Sequence, residues 1–299
     1  MTAAVTSLQD ATRRPRRVAV GTFDGVHLGH REVIRGADTV VTFEPHPAVV
    51  LHPDTPPQLL TSLQRKAQII GGLGVGEVVV IPFDRDFASR SAADFADDVL
   101  VGTLGATHVS VGQNFHFGHR ASGKPATLAA DPRFETRVVP LLQMDGEIVS
   151  SSHIRNLIAG EGAVAPAGRL LGAPFVMTGE VVRGEQRGRT IGYPTANLVP
   201  DPRFVTPAFG VYACLANGSI PAAVSIGVRP TFETRLGELV EAYLLDFDGD
   251  LYGSELELTF LERLRGELAF DGVEELVAQI ERDVEDTRRI AAARARAAA

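Results

Sequence analysis

Short apolar runs alternate with polar, helix-spaced stretches through the first half of the chain, and the second half changes to strand-length runs divided by tight turns. The early runs, Val18 to Gly21, Thr39 to Phe43, Glu77 to Ile81, Thr107 to Val111 and Arg137 to Pro140, have the length and β-branched content of buried strands. Between them, Ser62 to Leu73 and Ala92 to Leu100 carry apolar residues at helical spacing. Such alternation predicts a parallel sheet covered by helices. From Pro174 onward, FVMTGEVV, GVYACLAN, IPAAVSIG, LVEAYLLDF and ELELTFLE are joined by turns at Asn217 to Ser219 and at Asp248 and Gly249, which predicts an antiparallel barrel or sandwich. A terminal helix from Gly272 to Ala298 completes this half, its alanine-arginine tail a continuation or frayed end. The boundary falls near Leu171 to Pro174, after an amphipathic segment from Ile154 to Leu171, giving domains of residues 1–172 and 173–299.

Composition narrows the ligands. A chain of 299 residues, 44% hydrophobic and 22% charged, is long enough for two ordinary cores. Its net charge of -8 argues against a general nucleic-acid binder, so phosphate affinity has to come from local groups. The single cysteine, Cys214, excludes an internal disulfide and reads as a buried thiol between Ala213 and Leu215. No run approaches the roughly 18 apolar residues of a membrane span, and no hydrophobic signal core follows the arginines of RRPRR at 13–17. That basic run reads as a solvated arm, and the cytoplasm is the expected compartment.

Against this background GTFDGVHLGH at 21–30 stands out, directly after an apolar strand. Gly21 and Gly25 permit a tight turn, a helix is expected to start near His30, and backbone N–H groups there attract phosphate. His27 and His30 add directed donors, and Gly29 leaves room for a triphosphate to approach the backbone. A plain surface loop is one alternative; half of a metal site is another, for which the flanking residues offer no further ligands. In parallel sheets ligands sit beyond the carboxyl ends of the strands, where GQNFHFG at 112–118 also falls. TFEPHP at 42–47 reads equally as a functional loop or a proline-stiffened turn. In VSSSHIRNLI, Ser152 is placed as a helix cap, and Arg155 beside Ser151 and Ser152 could hold a leaving pyrophosphate. In the second domain, RGEQRGRTIGYPTAN at 183–197 could wrap phosphates while Thr195 and Asn197 present oxygens to Mg2+; a glycine-rich hairpin without a ligand is the alternative. Glu241, a lone carboxylate in an apolar run, is either a general base or a rim group paired with an arginine. DFDGD at 246–250 fails as a calcium loop because Leu251 stands where glycine is required.

Taken in order, GTFDGVHLGH, TFEPHP, GQNFHFG, VSSSHIR, GRTIGYPTAN and VEAYLLDFDGDLYG resemble the prokaryotic bifunctional riboflavin kinase/FMN adenylyltransferase (FAD synthetase) family, from about residue 18 to about residue 290. The resemblance implies an α/β Rossmann-like nucleotidyltransferase domain followed by an antiparallel β-barrel riboflavin-kinase domain with a C-terminal helix. It implies ATP-dependent phosphorylation of riboflavin to FMN by the barrel, then adenylylation of FMN to FAD with release of pyrophosphate, both with Mg2+. Riboflavin, FMN, FAD and ATP are the ligands implied, with neither nucleic acid nor membrane. In the kinase, it places the base on Glu241, Mg-ATP on Thr195 and Asn197, and the closing loop on Gly184, Gly188 and Arg189. In the adenylyltransferase, it places the phosphate-stabilising pair on His27 and His30, within a motif that includes Gly21, Phe23, Asp24 and Gly29. Asn114 is placed near the transferring phosphate, and Ser151, Ser152 and Arg155 form the second nucleotide motif.

Two departures change the expectations. Only eleven residues separate His30 from Thr42, where the family has a full helix and a longer connection, so packing on that face of the sheet is expected to suffer. The segment from Pro140 to Val149 is also short. Ser152 stands where threonine is common, which keeps the hydroxyl. The rival readings are a monofunctional riboflavin kinase with a weakened adenylyltransferase domain, and a flavin- or nucleotide-binding regulator without turnover.

Overall fold

All five early apolar runs are parallel strands in the computed structural model, which describes residues 2–184, 191–228 and 238–298. The chain divides into two units, Met1–Ser151 and Ser152–Ala299. In the first, the strands are β2 (Arg16–Val20), β3 (Thr39–Glu44), β4 (Glu77–Pro82), β5 (Ala106–Gly112) and β6 (Glu135–Val139), with β1 (Ala4–Ser7) added at one edge. The order β1-β4-β3-β2-β5-β6 reverses direction between β2 and β5. Chain connections leave that pair to opposite sides, which opens a crevice at their carboxyl ends. The loops at 21–30 and 113–118 follow these two strands.

Period-two alternation gives each face of the sheet its own core. Val18, Val20, Val109 and Val111 pack with Phe95, Leu100 and Leu104 on one side. Ala19, Val40 and Val78 pack with Val33, Ile34 and Ile70 on the other. The arginine run at 13–17 is not a solvated arm. Arg16 opens β2 with 1% of its surface exposed, donating to Glu77 at 3.2 Å and to the Thr12 and Leu104 carbonyls at 2.7 and 2.9 Å. A buried guanidinium needs such a full set of acceptors.

The crossover from β2 to β3 carries only the seven-residue helix α1 (Leu28–Ile34). The packing deficit expected from this brevity is confined to the far end of the helix, where a groove lined by Arg17, Arg35, Gly36, His108, Glu135 and Arg137 opens on the sheet face. Val33 and Ile34 are buried, and Arg137 of β6 donates to the Arg35 and Glu32 carbonyls at 2.9 and 3.1 Å, satisfying acceptors that the helix end leaves open. Beyond the helix the same sheet face turns polar: Arg17, His108 and Glu135 stand in register across β2, β5 and β6, with a 3.2 Å contact between the last two side chains. The short segment after Pro140 is a hairpin of two-residue strands, β7 (Gln143–Met144) and β8 (Glu147–Ile148), turning at Asp145 and Gly146 with positive φ.

The second unit begins with a helix, Ser151–Arg155, that widens into a π-helical turn at Asn156–Gly160 and is followed by the helix Val164–Leu171. Its strands are β9 (Phe175–Val182), β10 (Ala196–Pro200), β11 (Gly210–Ala216), β12 (Ile220–Val228), β13 (Glu238–Leu244) and β14 (Glu255–Arg265). They close as an antiparallel barrel in the order β10-β13-β12-β11-β14-β9, so the barrel is realised rather than the sandwich. Closure leaves no open edge to protect. Inside lie Met177, Tyr212, Cys214, Val224, Ile226, Val240, Leu256 and Phe260. Burial pushes the Cys214 thiol well above its ordinary range, which makes it a packing residue. The terminal helix Val273–Ala298 packs on β11 and β12 and is clamped by Arg265 to Asp283 at 2.8 Å. Replacing Arg137 with alanine is expected to lower the stability of the first unit by about 1 kcal/mol in urea unfolding, and to speed amide exchange in α1, because two helix-end carbonyls lose their donors.

Candidate active sites

β2 ends at Val20, and the chain turns through positive φ at Phe23 (49°), Gly25 (83°) and Val26 (42°). A β-branched residue there is strained, and the complete burial of Val26 holds it in place. His27 then caps α1: its Nδ1 accepts the N–H of His30 at 3.2 Å, so the helix starts at Leu28 rather than near His30. The two imidazoles stack with centroids 3.5 Å apart, and Phe23 meets His30 edge-on at 5.4 Å.

The glycines make this packing possible. A Cβ at Gly21 would come within 3.0 Å of the Phe23 ring, and one at Gly29 within 3.2 Å of the His27 ring. Gly29 is therefore favoured by the histidine ring itself, a reason separate from the phosphate approach expected of it. His30 is only partly covered as a residue, yet its Nδ1 is buried and meets no hydrogen-bond partner among the described residues. Burial first, then His27 and Lys66, hold its pKa well below the ordinary histidine value. The result is a neutral ring with one donor and one acceptor nitrogen.

Asp24, 2% exposed, points its carboxylate at backbone. Oδ1 accepts from Leu60 N at 2.9 Å and Thr61 N at 3.2 Å, while Thr61 Oγ1 accepts from Gly25 N at 3.1 Å. Ser151 Oγ donates to the Asp24 carbonyl at 2.9 Å. The loop is thus tied both to the start of a later helix and to the second nucleotide motif. TFEPHP divides between the end of β3 and the cap of helix α2 (Pro47–Leu51), where His46 Nδ1 accepts the Ala48 N–H at 3.2 Å.

Lys66 completes the set and was not among the expected residues. It lies on α3 (Leu63–Gly72), 5% exposed, with Nζ donating to the Thr22 carbonyl at 2.7 Å and to Thr42 Oγ1 at 3.3 Å. Burial lowers its pKa; Asp24 and Glu44 pull it back up. One signal was available: Lys66 occupies the buried stripe of its helix between Leu63 and Ile70, where a charge is unusual. Asn114 follows β5 on an exposed turn, its carbonyl 2.9 Å from His116 Nδ1, beside the stacked rings of Phe115 and Phe117.

Ser152 and Arg155 belong to the second unit. The helix starts at Ser151, so Ser152 lies inside it and is not its cap, and Arg155 Nη1 approaches Ser152 Oγ at 3.4 Å.

In the barrel, Asn197 of β10 stands opposite Glu241 of β13, which also faces Ser225 of β12. Directly opposed residues of antiparallel strands share a face. Asn197 is 6% exposed and Glu241 half-buried, an amide and a carboxylate that share a face with the Ser225 hydroxyl. Thr195 precedes β10 by one residue. A Cβ at Gly184 would land on the Asn197 amide, so the glycine is what lets the chain pass over it. Tyr193 meets Tyr243, two residues beyond Glu241, edge-on at 5.2 Å. Gly188 and Arg189 lie outside the described residues. No group of three His, Cys, Asp or Glu side chains able to hold a metal occurs among the described residues. The hydroxyl of Thr195 and the amide oxygen of Asn197 are hard donors that suit a divalent cation carried mainly by phosphate and water.

A crevice with two histidines at a strand-order reversal, and a barrel with a carboxylate facing an amide, define a two-domain nucleotide-dependent transferase. The family models concur: FAD synthetase matches residues 9–153 and riboflavin kinase residues 171–291. The chain belongs to the bifunctional riboflavin kinase/FMN adenylyltransferase family. It is 40% identical over 287 residues to the relative of that name from Listeria monocytogenes, covering 91% of each chain. The Bacillus subtilis relative is 38% identical, again over 91% of each, and that of Escherichia coli K12 35%, over 93% of each. A solved structure titled macrolide-efflux protein, from Streptococcus pneumoniae, superposes with a TM-score of 0.84 at 33% identity, over 95% of this chain and 98% of the other. No helix among the described residues is long and apolar enough to cross a membrane. The chain is therefore an enzyme with both riboflavin kinase and FMN adenylyltransferase domains, using ATP.

The low proton affinity of His30 has a measurable consequence. As pH falls through about 6.5 the unfolded chain takes up a proton at this position and the native state does not. Stability from this residue is therefore complete above that pH, declines below it, and levels off once the pH is under the folded-state value. Urea unfolding at about pH 7.5 and about pH 5.5 is expected to show this loss in the first unit, and His30→Ala to reduce it.

Proposed function

We propose that the His27–His30 pair serves adenylyl transfer to FMN and that Glu241 serves phosphoryl transfer to riboflavin. The observation that most supports the first is the buried, unpartnered Nδ1 of a neutral His30 stacked on His27. In that step an oxygen of the FMN phosphate bonds to the α-phosphorus of ATP, the bond to the β-bridging oxygen breaks, and pyrophosphate leaves. His27 and His30 donate to phosphoryl oxygens as charge builds on them. Asn114 assists at the transferring phosphate, Ser151, Ser152 and Arg155 hold the leaving pyrophosphate, and Gly21, Phe23, Asp24 and Gly29 keep the loop in shape. No covalent enzyme intermediate is needed.

In the kinase, Glu241 takes the proton from the ribityl 5′-hydroxyl while that oxygen attacks the γ-phosphorus and ADP departs. Its placement between Asn197 and Ser225 on neighbouring strands supports this role. Mg2+ is the divalent ion we assign to Thr195 and Asn197; when bound it neutralises phosphate charge. Gly184, Gly188 and Arg189 are assigned to the loop over the nucleotide. The functional domains are taken as 1–172 and 173–299, although the helical segment 152–171 folds with the barrel unit. An ATP-dependent enzyme of this kind fits a cytoplasmic location.

Incubation of the pure protein with riboflavin, ATP and Mg2+, followed by chromatography of the flavins, tests the reading. FAD is expected; FMN alone would favour the monofunctional kinase, and no product the regulator. His30→Ala is expected to cut FAD formation by about 100-fold or more while FMN still accumulates, and Glu241→Ala to cut FMN formation similarly while supplied FMN is still converted to FAD. Loss of both activities in either folded variant would show that the two sites are not separate.

A further inference from the structure

We propose that Lys66 is a positioning residue for adenylyl transfer, its buried ammonium joining loop 21–30 to β3 and placing a fixed positive charge beside the histidine pair. This rests on the reading of His27 and His30 given above.

The geometry makes Lys66 a joint. Its Nζ reaches the Thr22 carbonyl, inside the loop, and Thr42 Oγ1, on β3; that hydroxyl itself donates to the same carbonyl at 3.0 Å. Three elements, the loop, β3 and α3, therefore meet at one ammonium. Its direct acceptors are neutral oxygens. The charges that balance it are the carboxylates of Asp24 and Glu44, and Asp24 is already engaged with two backbone amides.

A lysine held this deep costs stability that a glutamine donor or an apolar stem would not, so hydrogen bonding alone is a poor reason for its presence. A permanent cation next to a phosphate site does have one: it favours an anionic ligand and disfavours a second positive charge nearby. The charged or titratable groups facing His30 are His27 and Lys66, with Asp24 and Glu44 behind the lysine. Lys66 and His27 both act to keep a proton off His30, so the ring stays neutral with one donor nitrogen for a phosphoryl oxygen. Lys66 does this without touching substrate.

The test compares wild type, Lys66→Gln and Lys66→Arg in FAD formation from FMN and ATP across pH, with His30 followed by NMR of the 13C-histidine-labelled full chain. In K66Q, which retains a donor but no charge, the KM for ATP is expected to rise about tenfold, and the acid limb of activity and the His30 titration to move up by about one pH unit. K66R, which keeps the charge, should leave the titration of His30 where it is. A K66Q protein with a wild-type acid limb and an unmoved His30 titration overturns the proposal. Should K66Q fail to fold, K66M, matched to the buried stem, takes its place in the same comparison. If wild type forms no FAD at all, the reading of the histidine site fails; the His30 titration still decides whether Lys66 acts on it.

Discussion

One carboxylate organises the first candidate site. Asp24 is nearly sealed from solvent, and its Oδ1 collects the N–H groups of Leu60 and Thr61. Without that brace, a loop carrying Phe23 and Val26 at positive φ would relax toward extended backbone, and the ring of His27 would lose the geometry by which it caps α1. The aspartate sits inside the motif that reads most strongly as phosphate-binding, yet the contacts seen for it are with the chain's own backbone. Shape comes first, and the histidines inherit it.

The barrel solves a similar problem differently. Its candidate residues stand on neighbouring strands whose register is fixed by a closed ladder, so Asn197 and Glu241 are aligned by backbone pairing. The chain at Gly184 must be small, to clear the Asn197 amide. The histidine pair stands on a strained loop braced by side chains, the carboxylate and amide on a rigid wall. Two consecutive steps of flavin chemistry are thus carried on two unlike supports within one polypeptide.

Much of this was legible in the sequence. The β-branched runs marked strands to within one or two residues, the stretch Ser62 to Leu73 marked α3 to within one residue at each end, and the turn residues at 217–219 and 248–249 separated the barrel strands. Local chemistry carried that information. Tertiary chemistry was not legible: β1 is four residues long and becomes a strand only by pairing with β4, and β10 hides in a motif that reads as loop until β13 and β9 flank it. Arg16 looked solvated because its partner Glu77 lies 61 residues away. Gly29 and Asp24 were chosen for phosphate on the strength of their motif, and only coordinates reveal the ring and the amides beside them.

The abbreviated crossover has a final consequence for how its helix is held. The end of α1 that carries His27 and His30 is anchored in the crevice, whereas the other end stops at Arg35 and turns at Gly36, whose positive φ of 80° favours glycine. Arg137 seals that end from a neighbouring strand. The two ends of the helix are thereby held by different parts of the fold, the histidine end by its own capping loop and the far end by a strand of the sheet. The region around Gly36 is, in this sense, a splice point in the fold, at the end of the helix that lies away from the histidines.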